Sequence, residues 1–153
     1  MLRSWPYLLL LVPAAVLACE DWRTRRVSVA WLAVLGVTAG AAAWLTEGWR
    51  TMVWHMAINS VLLLVAGLAV AGYLRLRGLS VRHSFGCGDL VCLAVLTPLF
   101  GAREFVRLSI AACLAALMWW GLRRARRRTV PFVAMIGIAL GGWIMLQILR
   151  LCP

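Results

Sequence analysis

The residues of this chain best suited to chemistry are Asp21 and Asp89. They are its only aspartates, and with Glu20, Glu47 and Glu104 they make up all five acids. Two carboxyls that share one apolar pocket cannot both ionise cheaply, because mutual repulsion and lost hydration both oppose it. Such a pair holds one proton between them. It can activate a water and protonate a leaving amine, which is what an aspartic protease requires. No Ser/His or Cys/His arrangement competes with it. His55 belongs to the opposite side of the topology derived below, and His83 stands in a basic connection where a solvated imidazole is the ordinary outcome. Cysteines occur at positions 19, 87, 92, 113 and 152, with no CxxC and no His at ligand spacing from a Cys pair. They read as small apolar filler, and no metal, disulfide or cofactor is expected.

Whether the two aspartates can meet depends on the elements that carry them. The chain has 153 residues, 64% hydrophobic and 14% charged, with a mean hydropathy of +0.91. A soluble domain is roughly half apolar and about a quarter charged. There is too little polar surface here to cover a soluble ball. The composition excludes a soluble enzyme, a disordered tail and a secreted disulfide scaffold, and points to an all-α polytopic integral membrane protein. The net charge of +11 comes from sixteen arginines and no lysine. In an apolar chain, arginines set orientation and meet anionic headgroups, so nucleic acid is not an expected partner and the lipid bilayer is.

Six apolar segments emerge, roughly residues 5–20, 27–46, 52–73, 84–101, 105–122 and 130–149. The connections between them are short, so residues 1–153 form a single transmembrane domain. The first segment resembles a signal peptide in length, but Arg23, Arg25 and Arg26 follow at once and resist translocation, so it reads as a retained helix. Trp22, Trp44, Trp49, Trp54, Trp119 and Trp120 lie near segment ends, where an aromatic belt would put them. The first, third and fifth connections hold eleven of the sixteen arginines, including the run Arg123–Arg128. The positive-inside rule therefore places those connections in the cytoplasm and both termini on the other side.

This topology sorts the acids. Asp21 closes the first segment and Asp89 opens the fourth, both at the cytoplasmic side, while Glu47 and Glu104 lie opposite. From Asp89 to Gly101 a helix would rise about 20 Å, short of a hydrocarbon core of about 30 Å. The fourth segment must borrow from residues 84–88, which sinks Asp89 about a turn below the surface. An acid at that depth is costly unless it faces the bundle interior or a wet cavity. It is preceded by Gly86-Cys87-Gly88, giving a GxGD motif. Gly86 and Gly88 allow close backbone approach and irregular backbone beside a cavity, which a peptide substrate needs.

With these residues in view, the chain resembles the type IV prepilin peptidases, membrane aspartic proteases of the GxGD class. Three stretches carry the resemblance: Ala18-Cys19-Glu20-Asp21-Trp22-Arg23-Thr24-Arg25-Arg26-Val27, Phe85-Gly86-Cys87-Gly88-Asp89-Leu90, and Thr129-Val130-Pro131-Phe132-Val133-Ala134-Met135-Ile136-Gly137. The resemblance implies an endopeptidase of the bacterial inner membrane. Its partners would be prepilin or pseudopilin precursors of type IV pilus or type II secretion systems. It would cut their short basic leader after a glycine on the cytoplasmic side, with Asp21 and Asp89 as the catalytic dyad and no covalent intermediate. Two positions depart from the family pattern. Val27-Ser28 stand where the first aspartate is usually followed by Ile-Pro-Asn, and Val91 stands where a Lys is common. The chain reads as a compact, peptidase-only form without the four-cysteine cytoplasmic domain of larger, methylating members.

Plainer readings stand beside these. Asp21 could pair with Arg23 or Arg25 at the interface, and Asp89 could cap a helix. Glu20 points about 100° away from Asp21 on a helix and reads as a headgroup-level acid. The two glycines could serve helix packing, Pro131 could simply start the last helix, and Arg123–Arg128 could be a topology anchor. The alternative function is a non-enzymatic component, a small transporter or assembly subunit whose aspartates bind a cation or relay protons. The connection 75–85, rich in Gly and Arg, is expected to be mobile and to admit substrate.

Overall fold

The computed structural model describes residues 5–78, 87–122 and 130–151. Gly86, most of the connection 75–85 and the basic run 123–128 lie outside the described residues, and with them the expectations made for those stretches. The described residues form helices joined by short turns and loops, with no strands among them. The helices are α1 (Trp5–Leu8), α2 (Leu11–Thr24), α3 (Val29–Glu47), α4 (Trp49–Leu76), α5 (Cys87–Val95), α6 (Ala102–Leu122) and α7 (Phe132–Leu151). Three of them, α3, α4 and α6, are long and apolar enough to cross a membrane. Their outward faces carry Val37, Trp44, Leu64, Leu68, Leu117 and Met118, all exposed. Helices apolar around their whole circumference are built for lipid rather than water.

Two expected helices are shorter than their apolar runs, and proline is the cause each time. The first segment, expected to be one helix over 5–20, breaks between α1 and α2. Pro13 has no N–H, and its ring crowds the carbonyl of Leu9. The chain answers with a tighter turn in which the Leu10 N–H bonds the Tyr7 carbonyl at 3.2 Å. The fourth segment, expected to run helically to Gly101, stops at Val95 because Pro98 cannot donate to the Ala94 carbonyl. The Thr97 hydroxyl takes that carbonyl instead, at 2.7 Å. Residues 96–100 then make a buried turn into α6.

Contacts at the helix termini define two ends of the bundle. At one end meet the last turn of α2, the first turns of α5 and α7, and the end of α6, where Trp119 stacks on Trp22 at 4.6 Å. At the other end meet α1, the end of α3, the first half of α4, the α5–α6 turn and the second half of α7. There the Tyr7 hydroxyl bonds Thr46 at 3.2 Å, and Trp143 takes the edges of Tyr7 and Phe100. Consecutive long elements therefore run in alternating directions.

The core lies between α2, α3, α5, α6 and α7 and includes Leu17, Leu35, Leu96, Phe100, Ile136, Leu140 and Ile144. In lipid no hydrophobic force drives helix onto helix, so association relies on close packing, and small residues at the contacts permit it. Gly137 of α7 meets α2 so closely that a Cβ there would lie 3.2 Å from the Ala18 Cβ and 3.4 Å from the Ala14 carbonyl. Ala39, Ala42 and Ala112 serve the same purpose elsewhere in the core. α2 and α7 form the most extensive helix pair, and α7 also packs on α6.

Candidate active site

Asp21 sits in the last turn of α2 and is 6% exposed. That depth would be costly for a bare carboxylate, and the fold supplies a partner. The first N–H groups of a helix have no acceptor within the helix. In α7 the first internal bond is from Met135 N–H to the Pro131 carbonyl. The Ala134 N–H is therefore free, and it donates to Asp21 Oδ2 at 3.0 Å. An acid supplied from α2 thus caps α7, at the end where the helix dipole favours negative charge. The alternative interfacial pairing of Asp21 with Arg23 or Arg25 is not found: among the described residues the ion pairs are His55–Glu47 and Arg107–Glu104.

Asp89 is the third residue of α5 and half-buried. Its carboxyl lies near enough to Asp21 for the two charges to act on one another. Cys92, one turn along α5, is buried. Two aspartates far apart in sequence are thus neighbours at one end of the bundle. Gly88 stands beside them, and a Cβ there would touch the Val27 side chain at 3.4 Å. That contact brings α5 against the chain entering α3. The other motif glycine, Gly86, lies outside the described residues.

The loop from α2 to α3 is pinned rather than slack. Arg25 takes a left-handed conformation, φ 57°, and its N–H closes α2 on the Asp21 carbonyl at 3.2 Å. Thr24 Oγ1 donates to the Glu20 carbonyl at 2.9 Å. Glu20, expected at the headgroup level, instead serves the loop. Its carboxylate accepts the Ser28 N–H at 3.1 Å and holds the entry to α3. The chain direction just after Asp21 is fixed by these bonds.

Residue type alone did not single out Ala134 or Gly137. They lay within the third stretch of the resemblance, and Pro131, buried completely, was the physical signal, because a proline ahead of an apolar run marks a helix start with free donors. A shallow concavity of about 340 Å³ runs along the outer face of α2, lined by Ala15, Val16, Cys19, Glu20, Arg23 and Thr24. It includes neither aspartate. Among the described residues no three His, Cys, Asp or Glu side chains converge on a common point. The described site thus presents two carboxyls, one buried and one half-buried. No family model, curated protein or solved structure matches the chain.

Proposed function

We propose that this chain is a membrane-embedded aspartic endopeptidase. It removes the short basic leader from prepilin-like or pseudopilin-like precursors at the cytoplasmic face of a bacterial inner membrane. Within this reading residues 1–153 form one domain of six membrane-spanning segments, with both termini on the non-cytoplasmic side. The observation that carries it is that Asp21 and Asp89, the chain's only aspartates, share the end of the bundle where α2 closes and α5 opens, with Gly88 against Val27.

The chemistry follows from a carboxyl pair that shares one proton. The ionised carboxylate takes a proton from a water lying between the two acids. The water oxygen attacks the scissile carbonyl carbon, and the protonated partner gives its proton to the carbonyl oxygen. Collapse of the resulting gem-diol breaks the C–N bond, the amine leaves with a proton, and the dyad regains its starting charge. A coupled pair titrates jointly, so base and acid are roles of the dyad rather than of one residue. No covalent enzyme intermediate forms.

Co-expression with a candidate precursor tests the reading. Asp21→Asn and Asp89→Asn are each expected to insert normally and to lower leader removal by at least about a hundred-fold, as loss of a general acid–base group does. Normal cleavage by either variant would refute the dyad. Intact processing together with altered ion flux in liposomes would favour the cation or proton role instead. Mass spectrometry of the product reads the cut position, expected directly after a glycine.

A further inference from the structure

We propose that Asn59 is a positioning residue for Asp89, fixing the axial register of α5 from the far end of that helix. The proposal rests on the reading of Asp21 and Asp89 as a catalytic pair and goes on to what makes them meet.

Helix α4 is exposed along nearly its whole length, and Asn59 is its one fully buried residue. A carboxamide within an apolar span is costly unless its donors are used. Both are used here: Nδ2 donates to the Thr97 carbonyl at 2.9 Å and to the Phe100 carbonyl at 2.6 Å. These acceptors lie in the turn that Pro98 creates, where the backbone leaves the helical pattern at membrane depth. Irregular backbone at such depth survives only when protein satisfies it. Asn59 Oδ1 finds no hydrogen-bond partner among the described residues. The amide is retained despite that cost.

One turn earlier on the same face of α4, His55 completes the grip. Its Nδ1 lies 3.1 Å from Glu47 Oε2 at the end of α3. A Cβ on Gly101 would lie 3.7 Å from its Nε2, so the imidazole abuts the α5–α6 turn. The end of α3, α4 and the turn at 97–101 are thereby joined at one place.

The rest of α5 is held by apolar contacts through Cys92, Leu93 and Val95, as the turn is through Leu96, Leu99 and Phe100. Such contacts are non-directional, and in lipid they resist sliding only weakly. Hydrogen bonds are directional and fail over a shift of about an ångström. Asp89 lies eight residues before Thr97, about 12 Å along the helix. A slip of one residue would move it by about 1.5 Å and turn it by about 100°, off the face that meets Asp21. The two bonds from Asn59 oppose that slip.

Cross-linking tests the proposal without recourse to activity. In a chain whose five native cysteines are replaced, cysteines at positions 21 and 89 are joined by a short bifunctional thiol reagent in native membranes. Asn59→Leu keeps the shape, loses both donors, and is expected to lower the yield several-fold. Asn59→Gln keeps both donors and is expected to recover most of it. In the full chain with its own cysteines and aspartates, Asn59→Leu is expected to lower kcat about ten-fold, with KM within about two-fold and the inserted amount unchanged. Should Asn59→Leu fail to accumulate, Asn59→Ala is read in the same way. Yields that match the parent in the donor-less variant overturn the proposal, and so does a loss in Asn59→Gln as large as in Asn59→Leu. If Asp21→Asn or Asp89→Asn proves active while the cross-linking result holds, the catalytic reading falls and the register role stands.

Discussion

Asp21 carries two duties at once. Its carboxylate caps α7 through the Ala134 N–H, and in the proposed dyad it is the partner of Asp89. The first duty is measurable alone. Ala134 is in the first turn of α7, where proline is tolerated. Ala134→Pro removes the donor and leaves a buried oxygen unsatisfied, which should destabilise the protein by about 1–3 kcal/mol. Ala134→Gly keeps the donor and should cost about 1 kcal/mol at most. Thermal unfolding in detergent reads the difference, and equal losses would show that the bond contributes nothing. Gly88 offers a second test at this scale. Its missing Cβ would sit at ordinary contact distance from Val27, so Gly88→Ala should cleave within a few-fold of the parent. Gly88→Leu must drive α5 away from that loop, and leader removal should fall by more than about ten-fold.

Among the elements, the α2–α7 pair is the one on which the packing most depends. Gly137 is one close contact between the two, and one of its neighbours is a backbone carbonyl that cannot step aside. Gly137→Ala should destabilise by about 1–3 kcal/mol, read as a lower unfolding midpoint, with Gly137→Leu worse still. The sequence revealed the all-helical, apolar character of the chain and its three long spans α3, α4 and α6, since long apolar runs are hard to misread. It also revealed the two aspartates and their common end, because alternation of the spans decides that. What it concealed was tertiary. Pro13 and Pro98 were visible, yet an apolar run masks the break a proline makes within it. Ala134 acts through a backbone N–H, which leaves no mark on residue type. Glu20 looked like a headgroup acid because its partner, the Ser28 N–H, is set by how the loop turns. Asn59 was readable in principle, as a lone carboxamide within an otherwise apolar helix.

For the molecule as a whole, the unequal lengths of neighbouring helices matter most. α4 has 28 residues and rises about 42 Å, whereas α5 rises only about 14 Å over its nine described residues before the turn at 96–100. In the membrane setting proposed above, acyl chains packed beside the early stop of α5 at Val95 must bend inward or leave room for water, about 9 Å along the helix from the partly open Asp89. The enzyme proposed above would then be a gauge of its own surroundings. Reconstituted in phosphatidylcholines of increasing tail length, it should hydrolyse precursor fastest in the shortest tails that still support insertion, and progressively slower as thicker leaflets close over the dimple. A rate indifferent to tail length would mean that water reaches the acids by a path lipids do not control.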